Sequence, residues 1–403
     1  MRVLVFSTYF WPEETGPAPY VTEPARYLAG RGHEVEVWTG FAHYPAWSPM
    51  QGRALARRER LDGMVVHRRL HYVPRAQSAL SRALYEGSLS AGALTALVQA
   101  RRPDVVLGVT PTLSGALVGA AAARRFGVPF ALIVHDLMGK AAEQSGVAGG
   151  GRVAAAVRPL ELLAARRAQR IGIIAEGFRG YFTDAGIPDE RIVRLRTWTL
   201  GGAPPEANGS ARARLGWDDD FIVLHGGNMG HKQGLTNLIE TAAELRGSAG
   251  IRIVLAGDGN DRANLERRAA DLRLENLQFL GPQPWGEYEA MLAAADVLVV
   301  NQRATVGDMS LPSKLTSYFA AGRPTLAAVA PESETAAEVE RSGGGVVVPA
   351  ENPAALATAV RALRDDPDRR VSLGESARRY AAERLAAAAV LPEYERFLSD
   401  LCA

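Results

Sequence analysis

A chain of 403 residues exceeds what one hydrophobic core usually organises, so two domains of roughly 200 residues each are expected, and 47% hydrophobic with 22% charged residues supplies material for both. The single Cys402 excludes an intramolecular disulfide framework and a cysteine-rich zinc site. Net charge is only +2, yet residues 1–200 carry 25 Lys+Arg against 16 Asp+Glu and residues 201–403 carry 21 against 28, so the halves are +9 and −7. Such a basic first half suits an anionic partner, a phosphorylated acceptor or a lipid surface, and equally an arginine-rich solvated face. No apolar run reaches membrane-spanning length, and the opening stretch 1–6 is too short before Ser7 and Trp11-Pro12 for a signal peptide. A cytoplasmic protein is expected.

In chain order, 3–6 reads as a buried strand, 9–19 as a Pro- and Gly-containing loop, 20–29 as a helix and 34–38 as a second strand, a βαβ beginning. Short apolar strands follow at 105–109, 130–134 and 171–175, separated by alanine-rich helical stretches such as 115–125. Breaker density marks 199–205 as a linker. The second half repeats the plan with strands at 221–225, 251–256, 277–280, 297–300, 325–328 and 346–348, and three helices close the chain at 353–364, 368–383 and 387–401. Strands alternating with helices predict parallel, doubly wound sheets, hence an α/β chain of two Rossmann-like domains, 1–198 and 206–380. Ligands of such sheets bind beyond the C-terminal strand ends, so two domains facing a central cleft would place the site in the loops after strands.

In the first half, Glu13-Glu14-Thr15-Gly16-Pro17 follows the opening strand, and Gly16 lets the backbone pass close to a sugar or phosphate or simply makes a turn. The aromatic residues Tyr9, Phe10, Trp11, Tyr20, Phe41, Tyr44 and Trp47 suit an acceptor cleft, with Trp11, Tyr20, Tyr44 and Trp47 as candidate acceptor contacts. Arg53, Arg57, Arg58 and Arg60 read as a membrane- or phosphate-facing rim or as a solvated helical face. His135-Asp136 ends a strand and offers an imidazole for a substrate hydroxyl beside a carboxylate that could orient it; a satisfied histidine with a helix-capping aspartate is the plainer reading.

In the second half, Gly226-Gly227-Asn228-Met229-Gly230-His231-Lys232-Gln233-Gly234 lies between an apolar strand and an amphipathic stretch at 235–245. Glycines admit a ligand to the backbone, a helix start offers unpaired N–H groups and positive dipole, and Lys232 adds a full charge, which together make a phosphate cradle without Walker or dinucleotide spacing. Gly257 and Asp258 in Ala256-Gly257-Asp258-Gly259-Asn260, with Gln283 and Pro284 in the rigid turn Gly281-Pro282-Gln283-Pro284, could meet the edge of a flat base. Ser310, Leu311, Pro312, Ser313 and Lys314 open a helix at 316–321 closed by Gly322, and a second cationic helix start suits a diphosphate. No metal-ligating cluster is evident in the sequence, so neither metal nor other cofactor is expected, nor a nucleic-acid partner.

With Thr15-Gly16, Gly30-Arg31-Gly32-His33-Glu34-Val35 and Tyr44-Pro45 in the first half, and Gly227-Asn228-Met229-Gly230, Lys232-Gln233-Gly234, Ala256-Gly257-Asp258-Gly259 and Ala320-Ala321-Gly322-Arg323-Pro324 in the second, the chain resembles the retaining, nucleotide-sugar-dependent glycosyltransferases of family four, with their GT-B fold. Leu311-Pro312-Ser313-Lys314-Leu315 is similar to the branch of colanic-acid and O-antigen sugar (fucosamine) transferases. The resemblance implies an N-terminal acceptor domain, a C-terminal donor domain and a final helix, 381–403, packing back on the first domain. It also implies transfer from a nucleoside diphosphate sugar, UDP before dTDP or GDP, to a small molecule, lipid-linked sugar or carrier-bound acyl group, with peripheral membrane contact an open alternative. Lys232 and Lys314 would stabilise the departing diphosphate, the backbone at Gly16 would touch it, and His135 would hold a donor hydroxyl. Two departures stand out. Asn228 occupies a usual arginine position, and two usual glutamates are replaced by Met309 and Ser317, the second being the ribose contact. A non-catalytic binding subunit and a nucleotide-sugar epimerase are the alternatives on the same fold.

Overall fold

The computed structural model describes all residues except 15, 45, 51–53, 76–77, 140–149, 201–208, 218, 310–311 and 403, with backbone alone at 150–154, 209–210 and 307–309. The chain forms two compact units, Met1–Arg196 with Val390–Ala403, and Thr197–Ala389. Residues 201–205 of the expected linker lie outside the described residues.

The first unit is built on an eight-stranded sheet: β1 (Arg2–Phe6), β2 (Glu34–Gly40), β3 (Ala56–Leu61), β4 (Met64–Arg69), β5 (Val105–Val109), β6 (Phe130–Val134), β7 (Arg170–Ile173) and β8 (Ile192–Arg194), in the order β3-β4-β2-β1-β5-β6-β7-β8. All neighbours are parallel except β3 and β4. Strands β5 and β6 are buried at every position, as expected of parallel strands covered on both faces by helices. Arg57, Arg58 and Arg60 lie on strand β3 and not on a helical face, while Arg53 lies outside the described residues. Asp62-Gly63 adopts positive φ at both residues and turns β3 back on β4, a two-residue hairpin whose Asp-Gly signal stands in the sequence. Arginines on this edge strand keep it from pairing with another chain. The helix Ala79–Leu94 was also not anticipated; Ser78 caps it, accepting from Ser81 N while Ser78 N donates to Ser81 Oγ.

The second unit has six parallel strands, β9 (Phe221–Gly226), β10 (Ile251–Ala256), β11 (Leu277–Leu280), β12 (Val297–Asn301), β13 (Thr325–Val329) and β14 (Gly345–Pro349), ordered β11-β10-β9-β12-β13-β14. The helices Pro353–Asp365 and Pro367–Arg384 start at side-chain caps, Asn352 and Asp366. The chain leaves the second unit inside the helix Ala387–Ser399, later than the sequence boundary at 381. On the first unit that helix buries Tyr394, Phe397 and Leu398; Tyr394 Oη donates to Arg196 O (3.1 Å), and Glu395 Oε1 meets His33 Nε2 (2.9 Å). Most candidate residues lie in the loops after β1, β2, β6, β9, β10, β11 and β12, at C-terminal strand ends.

Candidate functional site

In the second unit the loops after β9 and β10 touch through their backbones. Gly227 has φ +123° and Gly257 φ +135°, and a Cβ on Gly257 would lie 2.0 Å from Gly227 O. Only glycine fits both the conformation and the contact. Gly227 N donates to Ala256 O (2.8 Å), Met229 N to Asp258 O (2.8 Å) and Asp261 N to Met229 O (3.0 Å), so the two turns form one rigid surface. Substituting Gly257→Ala is expected to lower the unfolding free energy by about 3 kcal/mol, since backbone must move away from backbone. Thermal denaturation checks this; a melting temperature within a degree of the parent would contradict it.

The stretch after Gly227 differs from the expected strand-turn-helix. His231–Gln233 forms a single 3₁₀ turn, Gly234 is left-handed, and the helix Thr236–Glu244 starts only afterwards. Lys232 therefore sits on that turn, exposed, rather than at the helix start. Asn301, at the end of β12, braces it: Nδ2 donates to Gln233 O (2.6 Å) and Gly234 O (3.0 Å), while Oδ1 accepts from Asn237 Nδ2 (2.8 Å). Arg303 N adds a bond to Lys232 O (3.1 Å). Asn301 escaped sequence reasoning, although a lone amide closing an apolar strand is the signal that could have found it.

Lys314 opens the helix Lys314–Ala321, and its Nζ lies 3.0 Å from His225 Nε2, and 3.3 Å from where a Cβ on Gly227 would be. Burial pushes the Lys314 ammonium down to about 7. His225 is wholly buried at the end of β9, and its Nδ1 lies 3.2 Å from Val299 O. Burial first, and then the Lys314 charge, hold its pKa well below the ordinary histidine value. The ring also hydrogen-bonds the Asn228 backbone; with its proton placed on Nδ1, donating to Val299 O, the neutral ring presents its Nε2 lone pair to the ammonium. Tyr318 Oη accepts from Gly226 N (2.8 Å), fastening the same helix to the same turn. His225 was the second functional group that the sequence did not disclose.

Of the other candidates, Asn228 is exposed on the Gly227 turn, Ser313 is exposed at the helix start with no side-chain cap bond, and Pro312 and Ser317 are half-buried nearby in sequence. Ser310 and Leu311 lie outside the described residues, and only the backbone of Met309 is described. Asp258 Oδ1 accepts from Gly259 N (2.8 Å), and Gln283 Nε2 donates to Gly281 O (3.0 Å), so both side chains turn onto their own loops. Pro284 accepts at its carbonyl from Tyr288 N (2.8 Å), starting the helix Trp285–Ala294. The loops carrying Gly257 and Gln283 are joined, since Gly257 N donates to Leu280 O (3.1 Å) and Arg262 Nη1 donates to Gly257 O (2.6 Å) and Leu280 O (3.1 Å).

In the first unit His135 follows β6, almost wholly buried, with Nε2 lacking a hydrogen-bond partner among the described residues and the ring 6.1 Å from that of Tyr20. Burial pushes its pKa down to about 4, so the imidazole is neutral. Its backbone N donates to Thr110 Oγ1 (3.2 Å), and Thr110 Oγ1 bonds Asp136 O (3.4 Å). After burial, the Asp136 charge is the next cause raising the Tyr44 phenol, which brings those residues into one neighbourhood. Gly16 has φ +64°, and a Cβ there would meet the Tyr44 ring at 2.9 Å. Buried Glu13 organises this loop, its Oε1 accepting from His43 N (2.8 Å) and Tyr44 N (2.9 Å). Trp47 packs against Tyr85 (5.8 Å) and His43 (5.7 Å) with Arg82 over its ring, and Trp11 lies under Arg26. Among the described residues no group of three or more His, Cys, Asp or Glu could hold a metal ion.

Two parallel-sheet units of this kind define the GT-B class of glycosyltransferases. Sucrose-phosphate synthase from Thermosynechococcus elongatus is similar over 99% of this chain and 98% of its own, with TM-score 0.76 and 17% identity. Anabaena HepE, solved with UDP and glucose, is similar over 99% and 100%, with TM-score 0.74 and 17% identity. Residues 15–198 match the glycosyl transferase 4-like domain and residues 209–380 the glycosyl transferases group 1. A putative colanic acid biosynthesis glycosyl transferase of Escherichia coli K12, WcaI, is 32% identical over 80% of this chain and 82% of its own length. D-inositol 3-phosphate glycosyltransferase 1 of Catenulispora acidiphila is 31% identical over 90% and 85%. The chain belongs to this family of glycosyltransferases.

Proposed function

We propose that the protein is a retaining transferase that moves a sugar from a nucleoside diphosphate, UDP before dTDP or GDP, to an acceptor in glycan or natural-product biosynthesis. The observation that carries the donor half is Lys314 at the Gly227 turn: among the described residues its ammonium has the neutral His225 as hydrogen-bond partner and no carboxylate. A cation built into a turn without a counter-ion suits a diphosphate. In the reaction the bond between the anomeric carbon and the β-phosphate oxygen breaks, and a bond to the acceptor oxygen forms on the same face. The acceptor proton passes to the leaving phosphate. Lys314 and Lys232 stabilise the growing charge, with no resident metal ion in this reading. His135 holds a donor hydroxyl at its Nε2, which has no hydrogen-bond partner among the described residues. Transfer from UDP-, dTDP- and GDP-sugars, followed by the anomeric configuration of the product with and without EDTA, tests this. An inverted product, or activity lost with EDTA and restored by magnesium, would contradict it.

An anionic lipid surface is the membrane-side partner in this reading. On the outer face of the helix Ala79–Leu94 and the turn beyond it, Leu80, Leu84, Gly87, Ala91, Leu94 and Val98 recur at alternating four- and three-residue spacing, all exposed, with Leu80 at 72% and Val98 at 89%. Exposed Arg57, Arg58, Arg60, Arg75, Arg82 and Arg101 belong to the same segment, whose acidic groups are occupied: Glu59 by Arg68, Asp62 by Arg26 and Glu86 by Ser114 N. An apolar strip with basic surroundings suits the interface of an anionic bilayer. Replacing Leu80 and Leu84 by Glu is expected to reduce cosedimentation with phosphatidylglycerol vesicles at least tenfold while the melting temperature holds. Equal sedimentation of variant and parent would contradict the assignment, as would loss of a self-associated form in light scattering with no vesicle binding by either.

A further inference from the structure

The pairing of His225 with Lys314 has no counterpart in the sequence motifs, since the two residues lie 89 positions apart and neither glycine loop contains the histidine. It joins the strand beneath the Gly227 turn to the helix beside it. We infer that His225 is a positioning residue for the diphosphate-binding cation: by accepting a hydrogen bond from Lys314 Nζ at 3.0 Å, it fixes the ammonium against the Gly227 backbone. This rests on the reading of Lys314 as the cation that meets the donor diphosphate.

The geometry supports a dedicated holder. A lysine side chain has four rotatable bonds and spends rotamer freedom when it meets a ligand, unless the site has already fixed it. A carboxylate partner would fix it too, but would also neutralise it and compete with an incoming phosphate. A neutral imidazole acceptor orients the ammonium and leaves its charge uncompensated. His225 can do this because it is itself fixed, wholly buried with Nδ1 on Val299 O. The titratable groups around this corner are His225 on β9, Tyr318 on the helix of Lys314 and Tyr288 on the helix Trp285–Ala294, whose ring lies 2.9 Å from where a Cβ on Gly226 would be. Burial raises both phenols, so each is neutral at physiological pH, as is the imidazole. The lowered pKa of Lys314 belongs with this arrangement, in which burial is the named cause.

Calorimetric titration with UDP, dTDP and GDP, using whichever binds the parent most tightly, tests the pairing in His225→Leu, His225→Gln, Lys314→Met and the double variant His225→Leu/Lys314→Met. The leucine variant removes the acceptor and the glutamine variant keeps one in its amide oxygen. The expected result is about tenfold weaker binding for His225→Leu, a larger loss for Lys314→Met, no further loss in the double variant, and recovery to within about threefold of the parent for His225→Gln. The pH midpoint of binding, set by Lys314, is expected to move in His225→Leu, which loses the acceptor, and to stay near the parent's in His225→Gln. Unchanged affinity in His225→Leu with Lys314→Met weakened would overturn the inference alone, as would strictly additive losses in the double variant. Unchanged affinity in Lys314→Met would overturn the donor-site reading and the inference with it. Should the leucine variant fail to fold, His225→Phe takes its place as the variant without an acceptor, and unchanged affinity there with Lys314→Met weakened overturns the inference.

Discussion

Replacing Lys314 with alanine is expected to lower kcat/KM for the sugar donor about a thousandfold, corresponding to about 4 kcal/mol of transition-state stabilisation, with most of the loss in kcat. The charge on the leaving diphosphate grows as the glycosidic bond breaks, so a fixed cation beside it is worth more in the transition state than in the bound substrate. Exposed Lys232 is free to follow the ligand but has to be ordered by it, and the expected loss at Lys232→Ala is correspondingly smaller. The pH behaviour should carry the same signature. With Lys314 pushed down to about 7, the empty site has lost its proton above that value, and a diphosphate favours the charged form. Donor binding then takes up a proton, and affinity falls as pH rises above about 7, by up to tenfold per pH unit. Stability has the opposite slope. Above pH 7 the unfolded chain holds a proton that the folded one has released, so the ligand-free protein gains stability from this group between about 7 and the ordinary lysine value. Titrations in buffers of different ionisation enthalpy measure the uptake directly, and affinity that is flat from pH 7 to 9 would contradict it.

The second large effect is expected at His135. His135→Ala should reduce kcat about a hundredfold, with KM changed by less than threefold, on the proposal that its imidazole holds a donor hydroxyl and so orients the sugar for reaction. The unpartnered, buried Nε2 is what makes this residue more than a strand-end histidine, since buried polar atoms nearly always find a partner and this one has none among the described residues. With its pKa pushed down to about 4, the residue is neutral and adds no pH dependence between 6 and 8, so any slope there belongs to Lys314 or the phosphate. Steady-state kinetics on the alanine and glutamine variants check the assignment; full activity in His135→Ala would contradict it.

The parallel strands were legible because each is a short apolar run bounded by breakers, and β5, β6, β10 and β11 begin and end where the pattern does. What escaped was polar or alternating. Strand β3 reads Ala-Arg-Arg-Glu-Arg-Leu, and with no apolar face its pairing is set by the Asp62-Gly63 turn instead. The helix Ala79–Leu94 buries Tyr85 and Leu89 but leaves Leu80, Leu84 and Leu94 outside, so its apolar residues lie on two faces and give no single stripe to recognise. The site divides in the same way. Gly16, Gly227 and Gly257 were legible because their positive φ demands glycine, and Lys314 because it opens a helix beyond a turn. His225, Asn301 and Arg262 act across distances of 89, 68 and 18 residues, which no local spacing encodes.

Binding of a nucleoside diphosphate at the Gly227–Lys314 corner is measured most directly by thermal shift of the protein and of Lys314→Ala against UDP, dTDP, GDP and their sugars, with and without EDTA. A selective upward shift for one nucleotide, kept in EDTA and lost in the variant, is the predicted result. No shift with any nucleotide, or an equal shift in parent and variant, would contradict it.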